Sequence, residues 1–420
     1  MIEGRARSSL LLSAALAAAA PAQAETLREA IALAYATNPV LAEARARQAA
    51  LEEAPEQARA DGRPTLSADV GAGYNNNGIG NAGNANLRVT LPIWTGGRVP
   101  SAVRAANADV AAGEQRVRDR EAAVLERVVT AYADLLFAQA SVEVARIGIE
   151  RLDRQVDEAR SRFDLGEATL TDVAQLRAQR ANVLASLADA EAALTSAAAT
   201  YRAVVGQSPG DLVATVSPPD ALPTNLPEAR LSAEEANPLL LEQTSIADAS
   251  AARILRARAV GAPSLDLAAG YGRGAQLSGG GLRGFESEAM VGLSLNLPIF
   301  TGGLVPSRVR EAEATYSAER FATESVEREV IRVVDTAWAA LEAAQLRLQA
   351  SRDGLEAAEL ALDGVRAEYE FGLRSTIDIL LADQSYRAAQ LALARSQSDE
   401  LIAQANLLRA AGRLDEGAYL

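Results

Sequence analysis

The chain of 420 residues contains no cysteine and no histidine. That removes thiol nucleophiles, disulfides, imidazole bases and the usual transition-metal ligands together. Aromatic residues make up only 4%. Alanine instead supplies most of the apolar content, as in long helices. No P-loop and no G-x-S-x-G occurs, and the tract GRGAQLSGGG opens no helix, so it is not a phosphate cradle. The sequence predicts no enzyme and no cofactor. A net charge of −14 disfavours nucleic acid as a partner. Beyond the N-terminus no run of eighteen apolar residues exists, so no membrane-spanning helix is predicted.

What is present begins with an export signal. Arg5 and Arg7 precede an apolar stretch over 10–20, and Ala22-Gln23-Ala24 is an A-x-A cleavage site. Residues 1–24 are expected to be a signal peptide, with the mature chain starting near Glu25. The expected mature end lacks the cysteine of a bacterial lipoprotein.

Twelve positions from Val124 to Phe163 carry apolar residues or alanine at alternating steps of four and three. Adding 206 to each number finds the same stripe from Val330 to Tyr369, with Ser351 the one polar member. A strict seven-residue repeat means left-handed coiled-coil packing. The chain is therefore an internal duplication. The segments LPIWTGGRVP (91–100) and LPIFTGGLVP (297–306) share eight of ten residues. Pro100 and Pro306 fit a first helical turn. From there proline-free sequence runs to Leu165 and Phe371, roughly 100 Å of helix at 1.5 Å per residue. Gly166 and Gly372 are predicted left-handed caps. Thr169-x-x-Asp172 and Ser375-x-x-Asp378 then restart helices in capping-box style. The return helix over 172–206 is also heptad-like, broken at Arg180.

Before each long helix lies an alternating pair of segments. Leu66, Ala68, Val70, Ala72 and Tyr74 share one face, as do Leu87, Val89, Leu91 and Ile93. In the second half 263–271 and 291–299 alternate likewise. The Gly/Asn tract 75–86 and the Gly-rich 272–284 are predicted turns or loops. Helix is expected over 26–61, broken or kinked at one or both of Pro39 and Pro55. The expected division is 25–206 for the first repeat, 207–230 for a proline-rich linker, 231–412 for the second repeat and 413–420 for a short tail.

Four strands cannot close a barrel, and hairpins with one apolar face need a partner. A membrane forbids open sheet edges. Three copies supply twelve strands, which suits a transmembrane barrel. Trp94 and Phe300 at one set of strand ends, with Tyr74 and Tyr271 near the other, are candidate aromatic girdles. A second reading of the same residues is a periplasmic coiled-coil adaptor or structural spacer.

In this order, twice, the LP-aromatic-x-GG strand ends, the FxxG and Tyr-x-x-Gly turns and the x-x-Asp-Val/Ile helix starts resemble the TolC family of outer-membrane efflux and secretion channels. The resemblance covers about 25–412. It implies an α+β membrane protein in the outer membrane: a homotrimer with a twelve-stranded barrel in outer-membrane lipid, continuous with a coiled-coil helical tunnel in the periplasm. It also implies a periplasmic adaptor protein and an inner-membrane transporter as partners. By the same resemblance the turns are the periplasmic tip, with Thr171, Asp172, Tyr369, Arg374 and Asp378 at the gate. Leu165, Gly166, Phe371 and Gly372 form the adaptor-docking turns. Arg374 is expected to reach Asp172, with the Tyr369 hydroxyl beside it. Asp378 would form a carboxylate ring favouring cations, divalent ions included. Leu381 stands where the family has a second aspartate, which leaves a second acidic ring open. On the residues alone, Asp172 and Asp378 also read as simple helix caps, and Arg374 as an exposed turn arginine.

Overall fold

A computed structural model describes residues 25–75, 80–213, 219, 221–278 and 281–419; the expected signal peptide lies outside them. Helices α1 (Leu27–Thr37), α2 (Pro39–Glu52) and α3 (Ala54–Ala60) occupy the predicted helical stretch, which breaks at both prolines. Asn38 ends α1 and caps α2, its side chain accepting from Val40 N at 2.9 Å. Proline at the first turn of α2 needs no donor there.

Strands β1 (Thr65–Asn75) and β2 (Gly80–Trp94) follow, then the long helix α4 (Arg98–Asp164) and the return helix α5 (Leu170–Val205). The second half repeats the order: α6 (Leu226–Ala236), α7 (Pro238–Ala259), β3 (Ser264–Ser278), β4 (Gly281–Asn296), α8 (Leu304–Glu370) and α9 (Thr376–Ala410). Helix α6 begins inside the stretch expected to be linker and is the counterpart of α1. Each long helix has 67 residues, about 100 Å.

The strands form one antiparallel sheet in the order β1-β2-β3-β4. They are longer than the alternation suggested. Most of the Gly/Asn tract and of the Gly-rich stretch is strand, because neighbours pair it: Asn84 with Gly71 and Gly274, Gly272 with Glu288. Cross-strand hydrogen bonds override the weak strand preference of glycine and asparagine. The twin LP-aromatic motifs diverge. β2 runs through Pro92 to Trp94 because Leu91–Trp94 pair with β3 across a register shift. β4 ends at Asn296, opposite Ser264 where β3 begins, so 297–299 are not strand and have no strand partner among the described residues. Tyr271 sits opposite Leu87 in mid-strand rather than near an end, and Phe300 lies past β4. The expected girdles are therefore only partly formed.

The sheet has no core of its own. Val70 is 85% exposed and Val291 77%, and Leu66, Leu293 and Leu295 stand open on the apolar face. Among the described residues, β1 and β4 have no partner on their outer edges.

Helices build the rest. Toward the turns the neighbours run α5, α4, α9, α8; toward the sheet α7 takes the place of α9, and α2 and α3 flank α4. The predicted stripe faces these seams: Val124, Val128, Ala131, Leu135, Ala138 and Val142 are buried, as are Val330, Val334, Leu341, Ala344 and Leu348. The stretch of α4 apolar enough to cross a membrane is half buried, so its hydropathy reflects packing. Helix α8 lies at the edge and leaves Phe321, Leu346 and Leu360 exposed.

The most extensive buried cluster lies midway, where α1, α4, α5 and α9 converge around Tyr132, Tyr201, Leu135 and Leu408. A hydrogen-bonded hub closes it. The Glu25 carboxylate accepts from Tyr201 Oη at 2.7 Å, Gln207 Nε2 at 3.0 Å and Gly210 N at 3.1 Å. Tyr132 Oη donates to Val213 O at 2.8 Å or Glu25 O at 3.0 Å. The expected tail is anchored: Arg413 bonds Ser232 and Glu228, and Ala418 is buried.

Candidate gate at the helical turns

Both long helices end alike. Gly166 (φ 79°) and Gly372 (φ 74°) take the left-handed conformation that only glycine adopts without strain. Gly166 N donates to Phe163 O and Glu167 N to Arg162 O; Gly372 N to Tyr369 O and Leu373 N to Glu368 O, all within 2.8–2.9 Å. These satisfy the last carbonyls. The turns then restart as predicted. Asp172 Oδ2 accepts from Thr169 N at 3.0 Å and Thr169 Oγ1 at 2.7 Å. Asp378 Oδ2 accepts from Ser375 N at 2.9 Å and Ser375 Oγ at 2.8 Å.

These bonds hold both carboxyls below the usual carboxylate range. For Asp172 the Thr169 hydroxyl contributes most, then its N–H, with Thr376 of the other turn helping. For Asp378 the Ser375 N–H comes first, then the hydroxyl, with the charge of Arg374 adding. Hydrogen bonds to the charged form favour it. The caps thus fix two anions at the end of the molecule, on helices α5 and α9, which touch each other.

Around them the surface is apolar. Leu165, Phe371 and Leu373 are at least three-quarters exposed, and Leu170, Ile377 and Leu381 are also open. Thr171 is exposed on the first turn of α5. Leu381 presents a greasy, exposed side chain three residues after Asp378.

Arg374 does not reach Asp172. Its Nε bonds Glu368 Oε2 at 2.6 Å, inside its own hairpin. Glu368 is three residues before Phe371 and thus close in sequence, whereas Asp172 lies on the other hairpin. Tyr369 likewise points elsewhere: the Arg162 guanidinium stands 5.2 Å from its ring centre, a cation–π contact between α4 and α8. Sequence reading missed both Glu368 and Arg162. An acid six residues before an arginine across a glycine turn was the available signal for the first.

Among the described residues no group of three acidic ligands gathers within one chain.

Comparison with known proteins agrees with this architecture. The model of the outer membrane efflux protein family matches residues 30–207 and again 231–413. Outer membrane efflux protein BepC of Brucella suis is 30% identical, over 97% of this chain and 90% of that protein. Outer membrane protein TolC of Escherichia coli is also 30% identical, over 94% of this chain and 83% of its own length. The outer membrane channel MtrE of Neisseria gonorrhoeae, solved in its open state, superposes with a TM-score of 0.77 at 22% identity, covering 93% of this chain and 90% of that one. Two matched halves, an open-edged four-stranded sheet and paired 100 Å helices have one reading: the chain belongs to the outer membrane efflux protein family and is a channel protein of the outer membrane.

Proposed function

We propose that the chain works as a homotrimer, a passive exit duct from periplasm to exterior that is gated at its helical turns. An adaptor protein and an inner-membrane transporter would dock at Leu165, Gly166, Phe371 and Gly372 and supply the energy, for efflux or type I secretion. The supporting observation is the sheet: both faces exposed, both edges free, and residues 297–300 with no strand beside them. A second copy's β1 set against β4 gives those edges partners, and three copies give twelve strands. The exposed edge of α8 would meet a neighbour's α5 in the same closure.

At the turns Asp378 would supply one carboxylate per chain, held ionised by its cap, and Asp172 and Thr171 a second polar layer. Tyr369 and Arg374 act through Arg162 and Glu368, which fix their positions. Such a constriction favours cations.

The test is planar-bilayer recording of the detergent-extracted mature protein, with Asp378→Asn alongside. A small cation-selective conductance altered by the substitution supports the reading. Protein that stays in water without detergent and never inserts overturns it and restores the adaptor alternative.

A further inference from the structure

Above the turns one carboxylate is withdrawn from water altogether. Asp383 of α9 is 1% exposed, and guanidiniums from three helices face it. Arg387, one turn on, donates from Nε to Oδ2 at 2.9 Å. Arg151 of α4 and Arg366 of α8 stand 3.6 and 3.9 Å away at Oδ1. Both distances are too long for a direct hydrogen bond, and Asp383 Oδ1 and Arg387 Nη2 are buried without a partner. Helix α4 makes room for this cluster: a Cβ at Gly148 would lie 3.0 Å from Arg387 Cδ. The Arg151 guanidinium also stands 5.4 Å from the centre of the Tyr386 ring.

Arg366 also faces the exposed Asp363 at 3.6 Å, but Asp383 is the one carboxylate that Arg151, Arg366 and Arg387 share, so the cluster depends on it. Without that carboxylate the guanidiniums repel, most strongly at the well-buried Arg387, while Arg151 and Arg366 keep part of their contact with water. The duplication shows that the arrangement is not a general feature of the fold. Subtracting 206 from 383 gives Arg177, which is exposed on α5. Of the two return helices, α9 lies between two long helices, whereas α5 packs on one, α4.

The α4–α9 seam carries other ion pairs, Arg409 with Asp119 and Glu126, and Arg395 with Asp134. Those are part-exposed, where such pairs contribute little. The Asp383 cluster is buried and nearest the turns, five residues and about 7 Å of helix beyond Asp378.

We propose that Asp383 is a positioning residue for the gate. It fastens the α8–α9 hairpin to α4 of the same chain just above the turns, so that the hairpin does not swing out alone and the end of the duct stays narrow. This rests on the tip-gated reading above.

The experiment is single-channel recording of the assembled full-length protein carrying Asp383→Asn, Asp383→Glu or Arg151→Gln. The tip variants Asp378→Asn and Arg374→Ser are recorded in parallel. Circular dichroism and size in detergent identify folded, assembled protein. Asp383→Asn and Arg151→Gln should raise conductance severalfold, while Asp383→Glu stays near the parent. If Asp383→Asn fails to assemble, Arg151→Gln decides, since it leaves the Asp383–Arg387 pair in place. Parental conductance in the assembled hub variants, with altered conductance in the tip variants, overturns the proposal and leaves the gate standing. A melting change alone, without a conductance change, overturns it equally. Parental conductance in all variants removes the gate itself.

Discussion

Tyr201→Phe deletes one hydroxyl from the middle of the helical core and leaves the ring in place. Tyr201 is fully buried, and its Oη donates to the Glu25 carboxylate at 2.7 Å. A hydrogen bond to a charged group contributes roughly 1.5–3 kcal/mol. Two donors to that carboxylate remain, Gln207 Nε2 and Gly210 N, so a loss near the lower half of that range is expected. About 2 kcal/mol is roughly a thirtyfold shift in the folding equilibrium. Tyr132→Phe is the internal control. Its hydroxyl reaches only neutral carbonyls, and a neutral bond contributes about 1 kcal/mol. Urea titration of the detergent-solubilised protein, followed by circular dichroism, measures both. Alkali gives an independent arm. Burial first, and Glu25 second, push the Tyr201 phenol up; burial pushes Tyr132 up to about 12. A raised pKa contributes stability that is present below the unfolded value, about 10, and lost as pH climbs through the folded value. The parent should therefore begin to lose stability above about pH 10, and the Tyr201→Phe variant should lose less. A Tyr201→Phe protein as stable as the parent, or one harmed less than Tyr132→Phe, would refute the charged-hub account.

Gly412 has φ 72°, and a Cβ there would stand 2.6 Å from Ala236 C, so Gly412→Ala should cost well over the roughly 1 kcal/mol of the dihedral alone. Gly303→Ala, with φ 84° and open space, should cost only that dihedral term; equal melting of the two would contradict the packing. Because the caps lower the pKa of Asp172 and Asp378, both stay ionised as pH falls, and cation selectivity should hold from neutrality to about pH 4.5 and fade only below the ordinary carboxylate value near 4. Selectivity lost by pH 6 would exclude these carboxylates as its source. Arg374→Ser and Glu368→Gln should change conductance in the same direction and without additivity, since they remove one shared bond. Additive effects would show that Arg374 acts through another partner.

Much of this protein was legible in its residues because the signals are local. A seven-residue stripe repeated 206 positions on requires two long packed helices wherever they dock. The Thr169–Asp172 and Ser375–Asp378 caps, the glycines at 166 and 372, and the prolines at 39 and 55 act on backbone within four residues of themselves. Alternation in 64–74 and 87–94 marked the hairpins for the same reason. What the residues could not settle depended on neighbours brought from far away. Asn84 is strand because Gly71 and Gly274 lie beside it, against its own propensity. The identical LPI segments at 91 and 297 part company because β3 continues beside one, whereas the other runs past Ser264, where β3 begins. Arg374 finds Glu368 rather than Asp172 because the two hairpins place those acids at different reach. Asp383 is buried, and Arg177 exposed, because the return helix α9 lies between two long helices and the return helix α5 packs on one. The sequence alone determined the duplication, the helices, the hairpins and the caps; tertiary structure decided pairing, burial and ionic partners, because these are set by atoms distant along the chain.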